Sequence, residues 1–494
     1  MQVLPELGHL VPLRRLLPDA EISGSGCVAI SGCTCDSRRV REGELFVALE
    51  GSETDGHDFI ADAIASGCAA VLSERPAPSD VGVPWCRVAN ARESFARLCQ
   101  TLAGSPTRQL KLIGVTGTNG KTTTSCLIAG ILKEAGHSVG LLGTLGYLDG
   151  RTVEPATHTT PPPERLASLF ARMVRNGCSH AVMEVSSHAL DQSRVAGAWF
   201  DAACVTNVTR DHLDYHATLC DYRRAKARLF DHLSENAFVV LNADDRGSAS
   251  YLKQLNCPVL TVAMNQPAEI TAVPVEQYLS EQTFLLCAGS ETVPVRTQMI
   301  GTHHIYNCLT AAAVGLAYDI ELTTIARGLE SVGHVPGRLE RIECGQPFGV
   351  FVDFAHTPDA LTSVLKSLRD VTTGRILCVF GAGGGRDRAK RPLMGRAVEQ
   401  GASVAILTND NPRYEDPHEI FREVLSGFCN PRTAILIPDR TEAIRQTLAM
   451  AEPGDSVLIA GKGHEDYQIV GDERLPLNDA EIARNWLYTE QPYA

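Results

Sequence analysis

No CxxC pair occurs among the 16 cysteines of this 494-residue chain, and only Cys33 and Cys35 lie close together. Thiols scattered in this way argue against a disulfide framework and for a reducing cytosol. No window approaches the roughly 20 apolar residues of a membrane span. The opening stretch 1–17 has no sustained apolar core ahead of a small-residue cleavage site, so the chain reads as neither membrane-bound nor exported. Excess positive charge is absent too: 45 Lys and Arg against 58 Asp and Glu leave a net charge of -13. The surface as a whole then repels nucleic acid and anionic lipid, and a phosphate ligand has to be held by local donors. Internal repeats and low-complexity tracts are missing as well.

What is present is an ordinary globular composition, 44% hydrophobic and 21% charged, on a chain long enough for about three compact units. The first, residues 1–105, has strand-like runs at 45–49 and 69–72 with a helix-like stretch at 59–66 between them. Residues 105–109 (SPTRQ) read as a linker. The second unit, 106–336, opens with an apolar strand at 110–115, a glycine-rich turn and a helix from Lys121 to about Ala135. It continues with strands at 180–184, 202–206 and 237–242. The third, 337–494, restarts the alternation with strands at 348–354, 375–380, 403–407 and 456–460 and helices at 359–368 and 390–400. The pattern predicts an α/β protein: a small N-terminal α/β domain, a central P-loop-type parallel sheet, and a C-terminal Rossmann-like open sheet.

The most informative stretch is LIGVTGTNGKTTT, 112–124. A strand leads into Gly114, Gly117 and Gly120, which let the backbone turn so that its amides converge on an anion at the next helix start. Lys121 supplies a cation for outer phosphates and Thr122 a hydroxyl for magnesium. Gly117, Thr118, Asn119, Gly120, Lys121, Thr122 and Thr123 are therefore candidate nucleotide contacts. The strict pattern GxxxxGK[ST] needs glycine where Val115 stands, so the spacing is the variant GxxGxxGKT. A glycine-rich turn alone is commonly structural; strand, three glycines, Lys-Thr and helix together indicate triphosphate chemistry.

Two further motifs follow strands. MEVSSH places Glu184 at the carboxyl edge of a parallel sheet, either as a solvated terminus or as a magnesium ligand. TNVTRDHLDYH concentrates Asp211, His212, Asp214 and His216, a density of polar groups that favours function over structural hydrogen bonding. Lys226, in an amphipathic helix, reads by default as solvent-facing.

The loop TGTNGKTTT resembles that of the Mur ligases and their relative folylpolyglutamate synthetase, and the resemblance extends over nearly the whole chain. It implies ATP-dependent ligation of meso-diaminopimelate to the D-glutamate carboxyl of UDP-N-acetylmuramoyl-L-alanyl-D-glutamate through an acyl phosphate, in cytoplasmic peptidoglycan precursor synthesis. ATP is the co-substrate and Mg2+, two ions, the cofactor. The protein would act as a monomer, with no nucleic-acid or membrane partner. The resemblance makes 1–105 the UDP-binding domain, 106–336 the ATP-binding domain and 337–494 the amino-acid-binding domain. It gives catalytic roles to Lys121, Glu184, His212 and Lys226, and it assigns the metal to Thr122, Glu184, His212 and Lys226, the lysine as a carbamate.

Carried over residue by residue, CDSRR places Asp36, Ser37 and Arg38 in the uridine pocket, where unaided reading gives a surface turn. HTTPPP offers Thr159 and Thr160, and SSHALDQSRV offers Ser186, Gln192 and Arg194, to the muramoyl peptide. GHVPGRLERI and VDFAHTPDAL supply Arg338, Asp353 and His356 to ATP. Where diaminopimelate ligases usually have GxFNxxN this chain has GTHHIYN, with His303 and His304 followed by a retained Asn307; His304 and Asn307 are assigned to adenine. DNPR bears on substrate choice: Arg413 can grip a second carboxylate bidentately while Asp410 and Asn411 take an ammonium. Arg386, Gly461 and Glu465 complete that pocket. FGAGGGRDR is not a dinucleotide fingerprint, because GxGxxG needs glycine where Arg386 stands. Rival readings are lysine addition, ligation onto another carboxylate as in folylpolyglutamate synthetase, and a nucleotide-gated binding or scaffold protein.

Overall fold

The structure, a computed structural model, describes residues 10–51 and 54–489. Of the opening stretch that bears on export, residues 1–9 lie outside the described residues. No helix among the described residues is long and apolar enough to cross a membrane. The described residues divide into two compact units, one built from 10–51, 54–116, 137–203 and 225–238, the other from 117–136, 204–224 and 239–489.

The first unit holds a five-stranded sheet in the order Glu21–Ser23, Trp85–Arg87, Ala70–Ser73, Glu44–Val47, Gly32–Thr34. Only the first pairing is antiparallel. Side chains alternate across it as a pleated strand requires: Leu45 and Val47 join Leu72, Phe95 and Leu98 on one face, while Phe46 and Val71 meet Ala63 and Trp85 on the other. The helix Ala91–Leu102 starts at Asn90, whose side chain accepts from the Glu93 amide at 3.0 Å. Such a cap is worth about 1 kcal/mol. The helix-like stretch at 59–66 resolves into a 3-10 turn, Gly56–Phe59, and a short helix, Ile60–Ala65.

A second group of strands in this unit runs Val153–Glu154, Gly146–Leu148, Val139–Gly143, His180–Glu184, Lys111–Thr116. The last three are parallel and the first two antiparallel. The linker expected at 105–109 is instead a 3-10 turn, Pro106–Gln109, with Pro106 and Thr107 buried. Proline at its first position presets the backbone, and the apolar ring is covered.

In the second unit the parallel pairing of Val239–Asn242 with Val259–Ala263, and of that strand with Ile270–Gln277, gives way to an antiparallel meander through Gln282–Ala288 and Glu291–Thr297. The parallel pairing expected for the central sheet is present, and an antiparallel meander extends it here. A six-stranded sheet follows, ordered Glu340–Arg341, Gly349–Asp353, Ser456–Ala460, Ile376–Phe380, Val404–Leu407, Ala434–Leu436. Every pairing but the first is parallel. Its central strands are apolar on both faces: Phe351, Cys378 and Leu458 pack with Leu361 and Leu365, and Val352, Val379 and Ile459 pack with Ile444 and Leu448. Helices on both sides close this open α/β sheet, so its carboxyl edge is left to bind ligands.

Candidate active site

In the first unit, Glu184 ends its strand with 2% of its surface exposed. Thr144 holds both carboxylate oxygens, its amide donating to Oε1 at 2.8 Å and its hydroxyl to Oε2 at 3.1 Å. Room for this comes from Gly143, where a Cβ would overlap the carboxylate. The Glu184 carbonyl accepts from Thr160 Oγ1 at 2.8 Å, and the Ser186 amide donates to that same hydroxyl at 3.0 Å. Thr144 Oγ1 lies 3.2 Å from Thr159 Oγ1. Arg194 donates to the Thr160 carbonyl at 3.0 Å and grips Gln192 Oε1 with Nε at 3.0 Å and Nη2 at 2.7 Å. Thr159, Thr160, Glu184, Ser186, Gln192 and Arg194, drawn from separate motifs, thus form one hydrogen-bonded network.

Lys226, near the end of the helix Leu219–Ala227, is 1% exposed, which corrects its default reading as a solvent-facing lysine. An ammonium is costly to bury unless its charge is met, so the position suits chemistry that offsets or removes that charge. Ser37 and Arg38 lie on a 3-10 turn capped by Asp36, which accepts from the Arg38 amide at 3.1 Å and from its guanidinium at 2.9 Å twice. The Arg38 side chain is 87% exposed. Nearby in sequence, Asp55 accepts from the His57 amide at 3.0 Å and from Arg75 Nη2 at 2.6 Å, and His57 Nε2 lies 2.9 Å from Ser73 Oγ.

In the second unit the glycine-rich turn is closed against residues 206–209. Asn207 is central: its carbonyl accepts from the Thr118 amide, and its Oδ1 from the Asn119 amide, both at 2.9 Å. Thr206 Oγ1 donates to the Asn119 carbonyl at 2.6 Å. Gly117 and Gly120 adopt φ of 146° and 82°, and a Cβ at either would overlap Thr206 or Asn307. Lys121 Nζ donates to the carbonyls of Gly117 at 2.9 Å and Thr118 at 2.8 Å, folding back over the turn at the head of the helix Lys121–Glu134. Thr123 is buried in the first turn of that helix. An anion here meets helix amides and an ammonium together.

Asn307 and Arg338 reach this loop from later in the chain. Asn307 Oδ1 accepts from Thr124 Oγ1 at 3.3 Å. Arg338 Nη2 donates to Thr122 Oγ1 at 3.0 Å and stacks over Phe354, 4.8 Å from the ring centroid. Asp353 is buried at its strand end and accepts from the amides of Leu339 at 2.5 Å and Ala355 at 2.7 Å. Burial pushes its carboxyl up to about 6, against the opposing pull of Arg338. His304 is buried beside His303, ring centroids 4.3 Å apart, and neither of its ring nitrogens has a hydrogen-bond partner among the described residues. Burial, then His303 and Arg338, hold it well below the ordinary histidine range, so it stays neutral.

Asp211 and His212 also face this unit's C-terminal part. Burial alone would raise the Asp211 carboxyl, but His212, His356 and Lys390 together hold it low. His212 Nε2 lies 3.3 Å from Asp211 Oδ2, and His356 Nδ1 donates to the Phe354 carbonyl at 2.8 Å. Burial and Lys390 lower the His356 pKa, while Asp211 and Asp410 oppose. His212 has a φ of 53° and Arg413 of 54°, a left-handed conformation that side chains tolerate poorly and that gathers at functional sites.

At the carboxyl edge of the six-stranded sheet, Arg413 Nη1 donates to the Gly384 carbonyl at 2.5 Å, and its backbone bridges to Val470. Burial lowers its pKa, and Arg386, close enough to repel it, adds to that. Asp410 Oδ1 accepts from the Asn411 amide at 2.7 Å, and Asn411 Nδ2 donates to Glu465 Oε2 at 3.0 Å. Gly461, at φ 115°, leaves room for Asp410: a Cβ there would sit 2.8 Å from its Oδ2. Arg386, Asp410, Asn411, Arg413, Gly461 and Glu465 therefore converge. Sequence reasoning passed over Asn207, Thr144 and the buried Lys462 within GKGHED. Their positions after strand ends were the available signal, but their partners are set only by the fold.

A glycine-rich turn at a helix start, a polar strand-end network and a charged pocket on an open sheet are the features expected of a nucleotide-dependent ligase. Residues 29–101, 115–315 and 337–463 match, respectively, the Mur ligase family catalytic domain, the Mur ligase middle domain and the Mur ligase glutamate ligase domain. The chain belongs to the Mur ligase family, a class of ATP-dependent ligases. More particularly, it is 43% identical over 475 residues to UDP-N-acetylmuramoyl-L-alanyl-D-glutamate--2,6-diaminopimelate ligase of Geobacillus thermodenitrificans, covering 95% of this chain and 97% of that one. A solved structure bearing the same enzyme name is 32% identical, with a TM-score of 0.70 and coverage of 98% and 99%. The MurF ligase of Thermotoga maritima in complex with ADP shares the fold at 20% identity, with a TM-score of 0.65 and coverage of 93% and 98%.

Proposed function

We propose that this ligase adds meso-diaminopimelate to the D-glutamate carboxyl of UDP-N-acetylmuramoyl-L-alanyl-D-glutamate in peptidoglycan precursor synthesis, in the cytoplasm and as a monomer. Residues 1–105 would hold the uridine nucleotide, 106–336 ATP, and 337–494 the incoming amino acid. The observation that carries the substrate choice is the pairing of opposite charges on one sheet edge. Arg413 and Arg386 suit a carboxylate, and Asp410 and Glu465 suit an ammonium. A distal centre with both groups satisfies all four; a plain lysine side chain leaves the arginines without a partner.

In the reaction, an oxygen of the dipeptide carboxylate attacks the γ-phosphorus and ADP leaves. The amine then attacks the acyl carbon, phosphate departs with the C–O bond, and the amine proton is lost. A free carboxylate acylates poorly, and phosphorylation turns its oxygen into a leaving group. Lys121 and the loop amides bind the outer phosphates. Thr160, Ser186, Gln192 and Arg194 orient the peptide. His304 and Asn307 are assigned to adenine, and Arg338, Asp353 and His356 to the rest of ATP.

The residues proposed to hold magnesium, two ions, are Thr122, Glu184, His212 and the carbamate of Lys226. Among the described residues no three His, Cys, Asp or Glu side chains form a cage. Hydroxyl and isolated carboxylate donors fit magnesium, which keeps its waters and shares phosphate oxygens. When bound, it would neutralise charge on the transferring phosphoryl group.

The test is phosphate release measured with ATP alone, with ATP and UDP-linked dipeptide, and with diaminopimelate added. Release that depends on all three supports the reading. Nucleotide binding without such release would leave a nucleotide-gated scaffold instead.

A further inference from the structure

Lys462 takes no part in the assignments above, yet its side chain is 0% exposed and lies among residues that are assigned. A buried ammonium persists only where its charge and donors are met. Its Nζ donates to Glu465 Oε2 at 2.9 Å and to Asn411 Oδ1 at 3.1 Å, and it sits 5.7 Å from the Tyr467 ring centroid.

These contacts fix the amide. Lysine only donates, so Asn411 must turn its oxygen toward it, and the same oxygen accepts from the Ile469 amide at 2.9 Å. Nδ2 is then left to donate to Glu465 Oε2. Within this cluster the hydrogen bonds use Glu465 Oε2 and Asp410 Oδ1, so Glu465 Oε1 and Asp410 Oδ2 remain as acceptors. Oxygens of this kind suit an ammonium. Lys462 is also the foremost attractive charge keeping the buried Asp410 ionised.

Charge then bears on selection. Two acids, Asp410 and Glu465, face two buried cations, Lys462 and Arg440, the latter shared with Asp479, with Arg413 and Arg386 at the pocket. Loss of Lys462 would take one positive charge from beside the two acids and loosen Asn411 and Glu465, which shifts the pocket toward a bare ammonium. We infer that Lys462 is a positioning and specificity residue: it orients Asn411 and Glu465 and offsets one acidic charge, so the pocket favours a side chain ending in ammonium plus carboxylate over ammonium alone. This rests on the proposed diaminopimelate reading.

The experiment compares full-length wild type and Lys462→Met by phosphate release, with diaminopimelate or lysine as acceptor and ATP varied separately. In the variant, KM for diaminopimelate should rise by about tenfold or more, KM for ATP should stay within about twofold, and the diaminopimelate-to-lysine ratio of kcat/KM should fall by about tenfold. The double variant Lys462→Met with Glu465→Gln, which removes opposite charges together, should recover part of the ratio. If Lys462→Met does not fold, Lys462→Gln carries the same prediction. A wild-type preference that survives in the variant, or equal rises in both KM values, overturns the inference alone. A wild type that does not turn over diaminopimelate overturns the function reading as well.

Discussion

Arg338 and Thr122 are 216 residues apart in sequence, yet the guanidinium donates to the threonine hydroxyl at 3.0 Å. The arginine therefore touches the hydroxyl proposed for magnesium, and Phe354 holds its far side. Arg338→Ala is predicted to raise KM for ATP by about tenfold, the effect of losing a charge-assisted contact, while KM for the amino acid changes little. Steady-state kinetics with each substrate varied in turn decides it. An unchanged KM for ATP contradicts the assignment.

The burial of Lys226 leads to a chemical prediction. If the side chain carries a carbamate, gentle intact-mass measurement in bicarbonate shows the increment of one carbon dioxide, lost on acidification. Lys226→Ala should lower kcat by roughly a hundredfold or more, since metal-assisted charge stabilisation is worth several kcal/mol. An unmodified amine in a fully active enzyme rules the carbamate out.

Glu415 supplies a stability test. Hydrogen bonds from the fully buried Arg391, at 2.8 and 3.0 Å, hold its carboxyl at about 2, below its ordinary 4.5, against the effect of burial. A depressed acid stabilises the fold fully above its unfolded pKa and loses that contribution as pH falls toward 2. Because Glu415 is partly exposed, Glu415→Gln should cost about 2 kcal/mol at neutral pH, and roughly half or less of that near pH 3. Urea unfolding at the two pH values measures it. A pH-independent difference contradicts the ion-pair account.

The sequence showed the buried strands most clearly. The strands His180–Glu184 and Ser456–Ala460 were expected at those bounds, because a continuous apolar run covered on both faces has abrupt polar ends. The meander from Ile270 to Thr297 is not legible in the sequence: only a minority of its strand residues are buried, and Pro274 and Pro294 interrupt it. Local pattern also misjudged Lys226 and Pro106, because burial of a charge or of a turn depends on what packs over it. The phosphate turn was legible from its glycines, but the part of Asn207 in closing it was not. Asn411 is legible from the chemistry of DNPR and Glu465 from the resemblance, whereas the place of Lys462 between them is set only by spatial contact.

Arg413 carries the carboxylate half of the proposed amino-acid pocket. Arg413→Ala should lower kcat/KM for diaminopimelate by about a hundredfold and leave any lysine turnover nearly as it was. Parallel kinetics on both amino acids checks this. Equal losses on both would show that the arginine supports the fold of its loop rather than selection.

The most direct test of the central claim is phosphate release by the wild-type enzyme with ATP, magnesium and the UDP-linked dipeptide across a panel of amino acids. The account predicts a strong signal with meso-diaminopimelate and far less with lysine, ornithine or glutamate. Lysine equalling or exceeding diaminopimelate would contradict it.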